Sequence, residues 1–124
     1  MDIKELSFTL YVNCELEFFS FVNQFKSEWK GVPIRWWKSG IEGETVENWI
    51  QIRNNRNYDL SKAKELPEEE GFFYYPFLIE SDSKINEPNE ADLDKQIAFL
   101  REIQKILENN GCLTVVSSHF EHLL

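Results

Sequence analysis

Residues 6–29 read LSFTLYVNCELEFFSFVNQFKSEW, and the period of their apolar side chains changes once along this stretch. Over residues 6–12 apolar and more polar side chains alternate, which is typical of a strand with one buried face. The period then lengthens to three or four residues, as in an amphipathic helix; these positions are Phe18, Phe21, Val22, Phe25 and Trp29. The stretch predicts a strand and then a helix, with Asn13 as N-cap and Glu15 and Glu17 in the first turn.

Two shorter runs predict a β-hairpin. Residues 34–37, IRWW, are dense in strand-forming residues, and Gly40 and Gly43 predict a turn after them. Residues 45–53 alternate again. Their inward positions are expected to be Val46, Ile50 and Ile52, and their outward positions Trp49, Gln51 and Arg53.

Residues 72–80, FFYYPFLIE, are the most continuously apolar run and predict a strand that is covered on both faces. Pro76 has no amide hydrogen for a sheet ladder, so we expect a bulge there or an edge position covered by another element. Residues 54–71, before this run, are basic at first and acidic at the end, and they predict a long loop.

An acidic linker, residues 81–94, leads into a second predicted helix that has Asn89 as its N-cap. The apolar stripe of this helix is Leu93, Ile97, Leu100, Ile103 and Leu107. Asn110 and Gly111 predict a left-handed cap at its end, and residues 112–117 predict a last strand.

The resulting order is strand, helix, three strands, helix, strand. It predicts an α+β fold: a ferredoxin-like split βαβ arrangement with an added strand, in which two helices cover one face of a mixed sheet. A chain of 124 residues is expected to form one domain, residues 1–124, with the long loop at 54–71.

The chain is acidic and rich in aromatic rings. It carries 22 acidic and 13 basic residues, a formal net charge of −9, together with ten Phe, four Tyr and four Trp. This charge argues against nucleic acid and against an anionic membrane as a partner. No signal peptide is visible and no apolar run approaches the ~20 residues of a membrane span, so we expect a cytoplasmic protein.

No residue pattern predicts catalysis, a cofactor or a metal. Cys14 and Cys112 fit neither a disulfide scaffold nor a zinc site and are expected to be small buried thiols in a reducing compartment. His119 and His122 flank Phe120 and Glu121, but a metal site needs more ligands, brought from separate elements. We therefore expect that the chain is not an enzyme; an unrecognised pair of carboxylates is the alternative.

The predicted hairpin carries the candidate interaction residues. Trp36 and Trp37 are adjacent, so on a strand they point to opposite faces, and one of them is expected beside Trp49 and Arg53. Tryptophan and arginine are enriched at binding hot spots. The acids Glu80, Asp82 and Glu87 would supply charge for a basic partner. In the alternative, residues 54–71 fold over Trp49 and bury it.

Two segments carry a family resemblance. Residues 111–124, GCLTVVSSHFEHLL, resemble the last strand of a group of small acidic bacterial proteins, some of which resemble immunity proteins of polymorphic toxin systems. Residues 72–80 resemble the aromatic strand of the same group. His119 and His122 stand where acids are expected around Phe120 and Glu121.

These observations predict a non-catalytic protein that docks on a basic protein partner, as an immunity protein does on a toxin. A small-molecule-binding or regulatory domain, with an apolar pocket between sheet and helices, is the alternative. The partner and the oligomeric state stay open.

Overall fold

The structure is a computed structural model that describes residues 5–29, 33–37 and 41–124. The strands in these residues are β1 (Phe8–Asn13), β2 (Arg35–Trp36), β3 (Glu42–Glu44), β4 (Asn48–Asn54), β5 (Phe77–Ser83) and β6 (Leu113–Ser118). The helices are α1 (Phe18–Glu28), α2 (Leu60–Glu65), α3 (Glu68–Gly71) and α4 (Glu90–Asn109). Short 3-10 turns lie at Phe72–Tyr74 and Glu121–Leu123. The predicted α+β class is confirmed.

The six strands form one sheet in the order β2-β3-β4-β5-β1-β6. Each neighbouring pair is antiparallel, so the prediction of a mixed sheet is wrong. The reason is the position of β1, which lies between β5 and β6. Helix α4 therefore joins two strands that run in the same direction without touching each other.

One apolar cluster joins the sheet to both long helices. It contains Phe8, Leu10 and Val12 of β1, which point to one face of the sheet by alternation. The helices contribute Phe21, Val22, Phe25, Leu93, Leu100, Ile103 and Leu107 to the same cluster. The ring of Phe21 stacks on that of Phe77, with centroids 4.6 Å apart. We call the face that carries this cluster the inner face, and the opposite one the outer face.

A group of polar side chains is also buried at the inner face. The amide nitrogen of Gln96 donates to the Leu6 carbonyl and to Asn48 Oδ1, both at 2.8 Å, and Gln96 Oε1 accepts from Asn48 Nδ2 at 2.9 Å. The Ser81 hydroxyl donates to Asn48 Oδ1 at 3.0 Å. These bonds join α4 to β4 and β5, and they satisfy the hydrogen-bonding groups of side chains that are buried.

Helix α1 begins later than its sequence predicts. Asn13, the predicted N-cap, ends β1 instead, because its backbone is paired with Leu113 of β6. Glu17 is the N-cap, and its carboxylate accepts hydrogen bonds from the amides of Phe19 at 2.7 Å and Ser20 at 3.3 Å. Glu15 consequently precedes the helix. The predicted cap of α4 is confirmed, because Asn89 and Asp92 form a reciprocal capping box.

The predicted hairpin is a three-stranded meander. Residues 42–44, expected in its turn, form β3 between β2 and β4. Gly43 permits this pairing, since a Cβ there would lie 3.0 Å from the Arg35 carbonyl oxygen. Val46, expected to point inward, is 80% exposed because it lies in the connection from β3 to β4. Gly40 lies outside the described residues.

Strand β5 begins after Pro76 rather than at residue 72. Because Pro76 precedes the strand, the predicted bulge or edge position is not required. β5 is an interior strand between β4 and β1. The Pro76 carbonyl instead accepts from the Asn55 amide at 2.8 Å. The preceding segment, expected as a long loop at 54–71, contains α2 and α3.

The end of α4 follows the prediction. Gly111 has a φ of 80°, a left-handed conformation that glycine adopts without strain. The chain thereby turns into β6, and Cys112 lies at the junction. Cys112 is buried and Cys14 is half-buried, and both are free thiols.

Candidate interaction surface

A pair of tryptophans lies on the outer face at the β2 end of the sheet. The rings of Trp37 and Trp49 stack with centroids 6.3 Å apart and an interplanar angle of 28°. Trp49 is 51% exposed. Trp36 points to the other face, where its ring meets those of Phe25 and Trp29. Of the two candidate tryptophans, Trp37 therefore joins Trp49 in what we call the tryptophan pair, and Trp36 belongs with the core.

The segment before β5 covers a different part of the outer face. Phe72 and Phe73 pack edge-on against the Tyr11 ring, with centroids 5.1 and 5.5 Å away. The buried Asn55 side chain holds this segment by donating to the carbonyls of Phe73 at 2.8 Å and Tyr75 at 2.7 Å. The segment thus covers the β1 side of the sheet and leaves Trp49 exposed.

Lys84 lies beside the tryptophan pair and contacts Trp49. Its Nζ lies 4.1 Å from the centroid of the Trp49 ring and 2.6 Å from Glu44 Oε2. It also donates to the Thr45 carbonyl at 2.9 Å. One sequence feature points to this role, since Lys84 is a basic residue within an acidic linker. Its partners could not be inferred, because they come from β3, β4 and the connection between these strands.

The Arg53 side chain is held by a contact within the protein. Its guanidinium forms an ion pair with Glu80 on the neighbouring strand β5. Glu80 lies opposite Gln51 in the ladder, so the ion pair runs diagonally across the outer face. Burial and, secondarily, the Glu80 carboxylate raise the pKa of Tyr11 nearby. Arg53 and Glu80 therefore act first as a cross-strand pair within the protein.

An acidic groove of about 580 Å³ continues the outer face past β5. It is lined by Glu5, Ser7, Phe8, Thr9, Glu80, Asp82, Ser117, Ser118 and His119. Asp82 is exposed and is the ladder partner of Trp49, so the groove begins beside the tryptophan pair. Hydrogen bonds from the hydroxyl and the amide of Ser7 lower the pKa of Glu5. These hydrogen bonds favour the ionised form of Glu5.

The structure brings most of the predicted residues to one face. Trp37, Trp49, Arg53, Glu80 and Asp82 share it, whereas Trp36 lies on the inner face. Glu87 is exposed in the connection between β5 and α4, outside the sheet. Sequence reasoning missed Glu44, Lys84 and the hydroxyl-bearing residues of the groove.

The described residues contain neither a metal-binding cluster nor a membrane-spanning helix. Among residues 5–29, 33–37 and 41–124, no group of three His, Cys, Asp or Glu side chains is placed to hold a metal ion. His119 and His122 are both exposed. In the same part of the chain, no helix combines the length and the apolar character needed to cross a membrane.

Comparison of the chain with protein-family models, curated proteins and solved structures finds no match.

Proposed function

We propose that this chain is a non-catalytic binding protein that docks a basic protein partner on the outer face of its sheet, as an immunity protein does when it neutralises a bacterial toxin. The observation that carries the proposal is the tryptophan pair next to the acidic groove, in which the Trp49 ring is 51% exposed. An apolar surface that includes such an exposed ring is one that monomeric proteins rarely leave without a use.

The chemistry of the surface favours a basic partner. Tryptophan side chains bury a large apolar area and are frequent at the centre of interfaces. Asp82 lies next to that centre, and the whole chain carries a formal net charge of −9. An acidic surface raises the association rate with a basic protein. Nuclease toxins are basic at the site that binds phosphate, so a protein of this charge is suited to cover that site.

Lys84 provides a model for the expected contact. Its ammonium group is held between the Trp49 ring and the Glu44 carboxylate within the chain itself. A lysine or arginine of the partner would find a similar combination of ring and acid in the exposed part of the Trp49 ring and its ladder partner Asp82. Such a cation–π contact contributes about 0.5–2 kcal/mol, more as water is excluded.

The test compares two exposed aromatic residues. Partners captured with the wild-type protein from the native cell are identified by mass spectrometry, and the affinity of each is then measured with purified proteins. Trp49→Ala should weaken binding of the partner by about 2 kcal/mol, roughly 30-fold in Kd, in a protein that is still folded at the temperature of the measurement.

Phe19→Ala is the matched control, because Phe19 is 70% exposed but lies on α1. It should leave the affinity unchanged. Equal binding by wild type and Trp49→Ala, or capture of only acidic proteins, would contradict the proposal.

We further propose that β4, β5, β1 and β6 with α1 and α4 form a ferredoxin-like core, to which β2 and β3 are additions. The strand order β4-β5-β1-β6 and the antiparallel pairings support this description. In that frame β5, α4 and β6 are the split βαβ unit, with β1 inserted between its strands.

A small-molecule-binding or regulatory role is the second candidate. An apolar pocket between sheet and helices was expected, and among the described residues a void of about 10 Å³ lies there beside Phe21 and Leu107, too small for a ligand. A cleft of about 230 Å³ lies between α4 and the start of β4, beside Asn48, Gln96 and Phe99. An open cleft of about 1080 Å³ is larger and lies at the end of β1, next to Tyr58 and Lys64. A rise in melting temperature with a nucleotide, amino acid or organic acid, abolished by Tyr58→Ala, would favour this role.

A further inference from the structure

The two cysteines meet where β1 and β6 come together. Asn13 and Leu113 are the last ladder partners of these strands. Cys14 follows Asn13 and Cys112 precedes Leu113, so the cysteines occupy the next opposed positions beyond the end of the ladder, and a hydrogen bond joins their side chains. Directly opposed residues in an antiparallel pair have Cα atoms about 4.5–5.5 Å apart. A disulfide spans Cα atoms about 4.4–6.8 Å apart.

We propose that Cys14 and Cys112 form a redox site, which a small disulfide such as oxidised glutathione converts into an intramolecular disulfide. The surroundings of the two thiols differ in a way that sets the order of events. Cys14 is half-buried and lines the open cleft of about 1080 Å³, where a small reagent has access. Cys112 is 3% exposed and lies behind it in the core. The reagent therefore meets Cys14 first.

The reaction takes place in two exchanges. The Cys14 thiolate attacks one sulfur of oxidised glutathione, breaks its S–S bond and releases one glutathione thiolate, which leaves a mixed disulfide on Cys14. Cys112 then gives its proton to water or buffer and attacks the Cys14 sulfur, and the second glutathione leaves. The two protein thiols are oxidised, and one glutathione disulfide is reduced to two thiols.

The second exchange is the slow one. Burial and, secondarily, the neighbouring Cys14 side chain raise the pKa of the Cys112 thiol to about 12. The void beside Cys112 is lined by uncharged residues, namely Leu16, Phe21, Gln24, Phe25, Leu107 and Asn110. The charged residues Glu15, Glu17 and Lys64 line the cleft on the Cys14 side. Because only the thiolate attacks, the closing rate should rise about tenfold for each pH unit between neutral pH and pH 9.

The experiment follows the folded protein in oxidised glutathione. We expect the count of free thiols, measured after unfolding in acid, to fall from two to none. The mass should fall by two hydrogens, and peptide mapping should find one peptide pair joined through Cys14 and Cys112. The melting temperature should rise by several degrees, because the bond closes a long loop in the unfolded chain.

Two variants separate the steps. Cys112→Ala should stop at the mixed disulfide and keep one glutathione on Cys14, whereas Cys14→Ser should leave Cys112 unmodified as long as the protein is folded. If either variant fails to fold, the peptide map of the wild type still decides. A wild-type protein that remains glutathionylated at pH 9, keeps both thiols, or forms disulfide-linked dimers would overturn the proposal.

Discussion

Gln96 lies on the apolar side of α4, yet its buried amide makes three hydrogen bonds to β4 and to the segment before β1. Gln96→Leu would leave the Leu6 carbonyl and the Asn48 amide nitrogen buried without these partners. We expect this substitution to lower the free energy of unfolding by about 3 kcal/mol. Urea denaturation measures the loss.

The same substitution at Gln104 is its control. Gln104 lies on the same helix but is half-buried, and its bonds to Arg101 and Thr114 are 3.1 and 3.3 Å long. Gln104→Leu should change the free energy of unfolding by no more than about 0.5 kcal/mol. Equal losses for the two variants would show that the Gln96 cluster contributes nothing specific.

At the residue level, prediction succeeded where the information is local. Strand alternation predicted that Trp49 points away from Ile50 and Ile52, and that Trp36 and Trp37 point to opposite faces. It could not decide which of the two joins Trp49, because β3 had not been recognised and the register of β2 depends on it. The partners of Lys84 and Gln96 are distant in the chain, and no local pattern contains them.

At the scale of the element, the N-cap of α4 contributes measurably to the free energy of unfolding. The Asn89 side chain accepts from the Asp92 amide at 2.9 Å, and the Asp92 carboxylate accepts from the Asn89 amide at 3.0 Å. Asn89→Ala removes the first of these bonds and should cost about 1 kcal/mol.

Asn86 is exposed in the connection before the helix and serves as the comparison. Asn86→Ala should leave the midpoint of thermal unfolding within a degree or so of wild type, since it removes no cap. A loss at position 86 as large as that at position 89 would mean that the connection itself, rather than the cap, is sensitive.

The long elements were predictable and the short ones were not. Helices α1 and α4 have apolar stripes over several turns, which tertiary contacts reinforce. Helices α2 and α3 have six and four residues and no buried apolar stripe. The polar composition of this segment therefore predicted a loop. The aromatic run predicted that β5 begins at residue 72. In the structure Phe72 and Phe73 pack on Tyr11 instead, and β5 begins only after Pro76.

For the molecule as a whole, charge should control how fast a partner binds. The proposed interaction brings a basic protein to an acidic surface, so raising the salt concentration from 50 to 300 mM should slow association by about tenfold. Stopped-flow mixing with the partner identified by capture measures this rate. A rate that does not depend on salt, or binding to DNA at physiological salt, would contradict a basic protein partner.

Two charge reversals localise the effect. Asp82→Lys changes the ladder partner of Trp49, whereas Glu108→Lys makes the same change in charge near the end of α4, in the helical layer of the inner face. We expect the first to slow association several-fold more than the second. Equal effects would indicate that only the net charge matters and that the outer face is not the docking surface.

The position of β1 in the sheet also affects how the protein folds during its synthesis. β1 precedes both of its partners in the chain, because β5 and β6 begin only at Phe77 and Leu113. On a translating ribosome, β1 emerges long before either partner, with both of its hydrogen-bonding edges open. A sheet closed by such distant pairings forms slowly, and its unpaired strand is prone to association in the meantime. The yield of this protein in cells should therefore depend on chaperones that bind extended segments during synthesis.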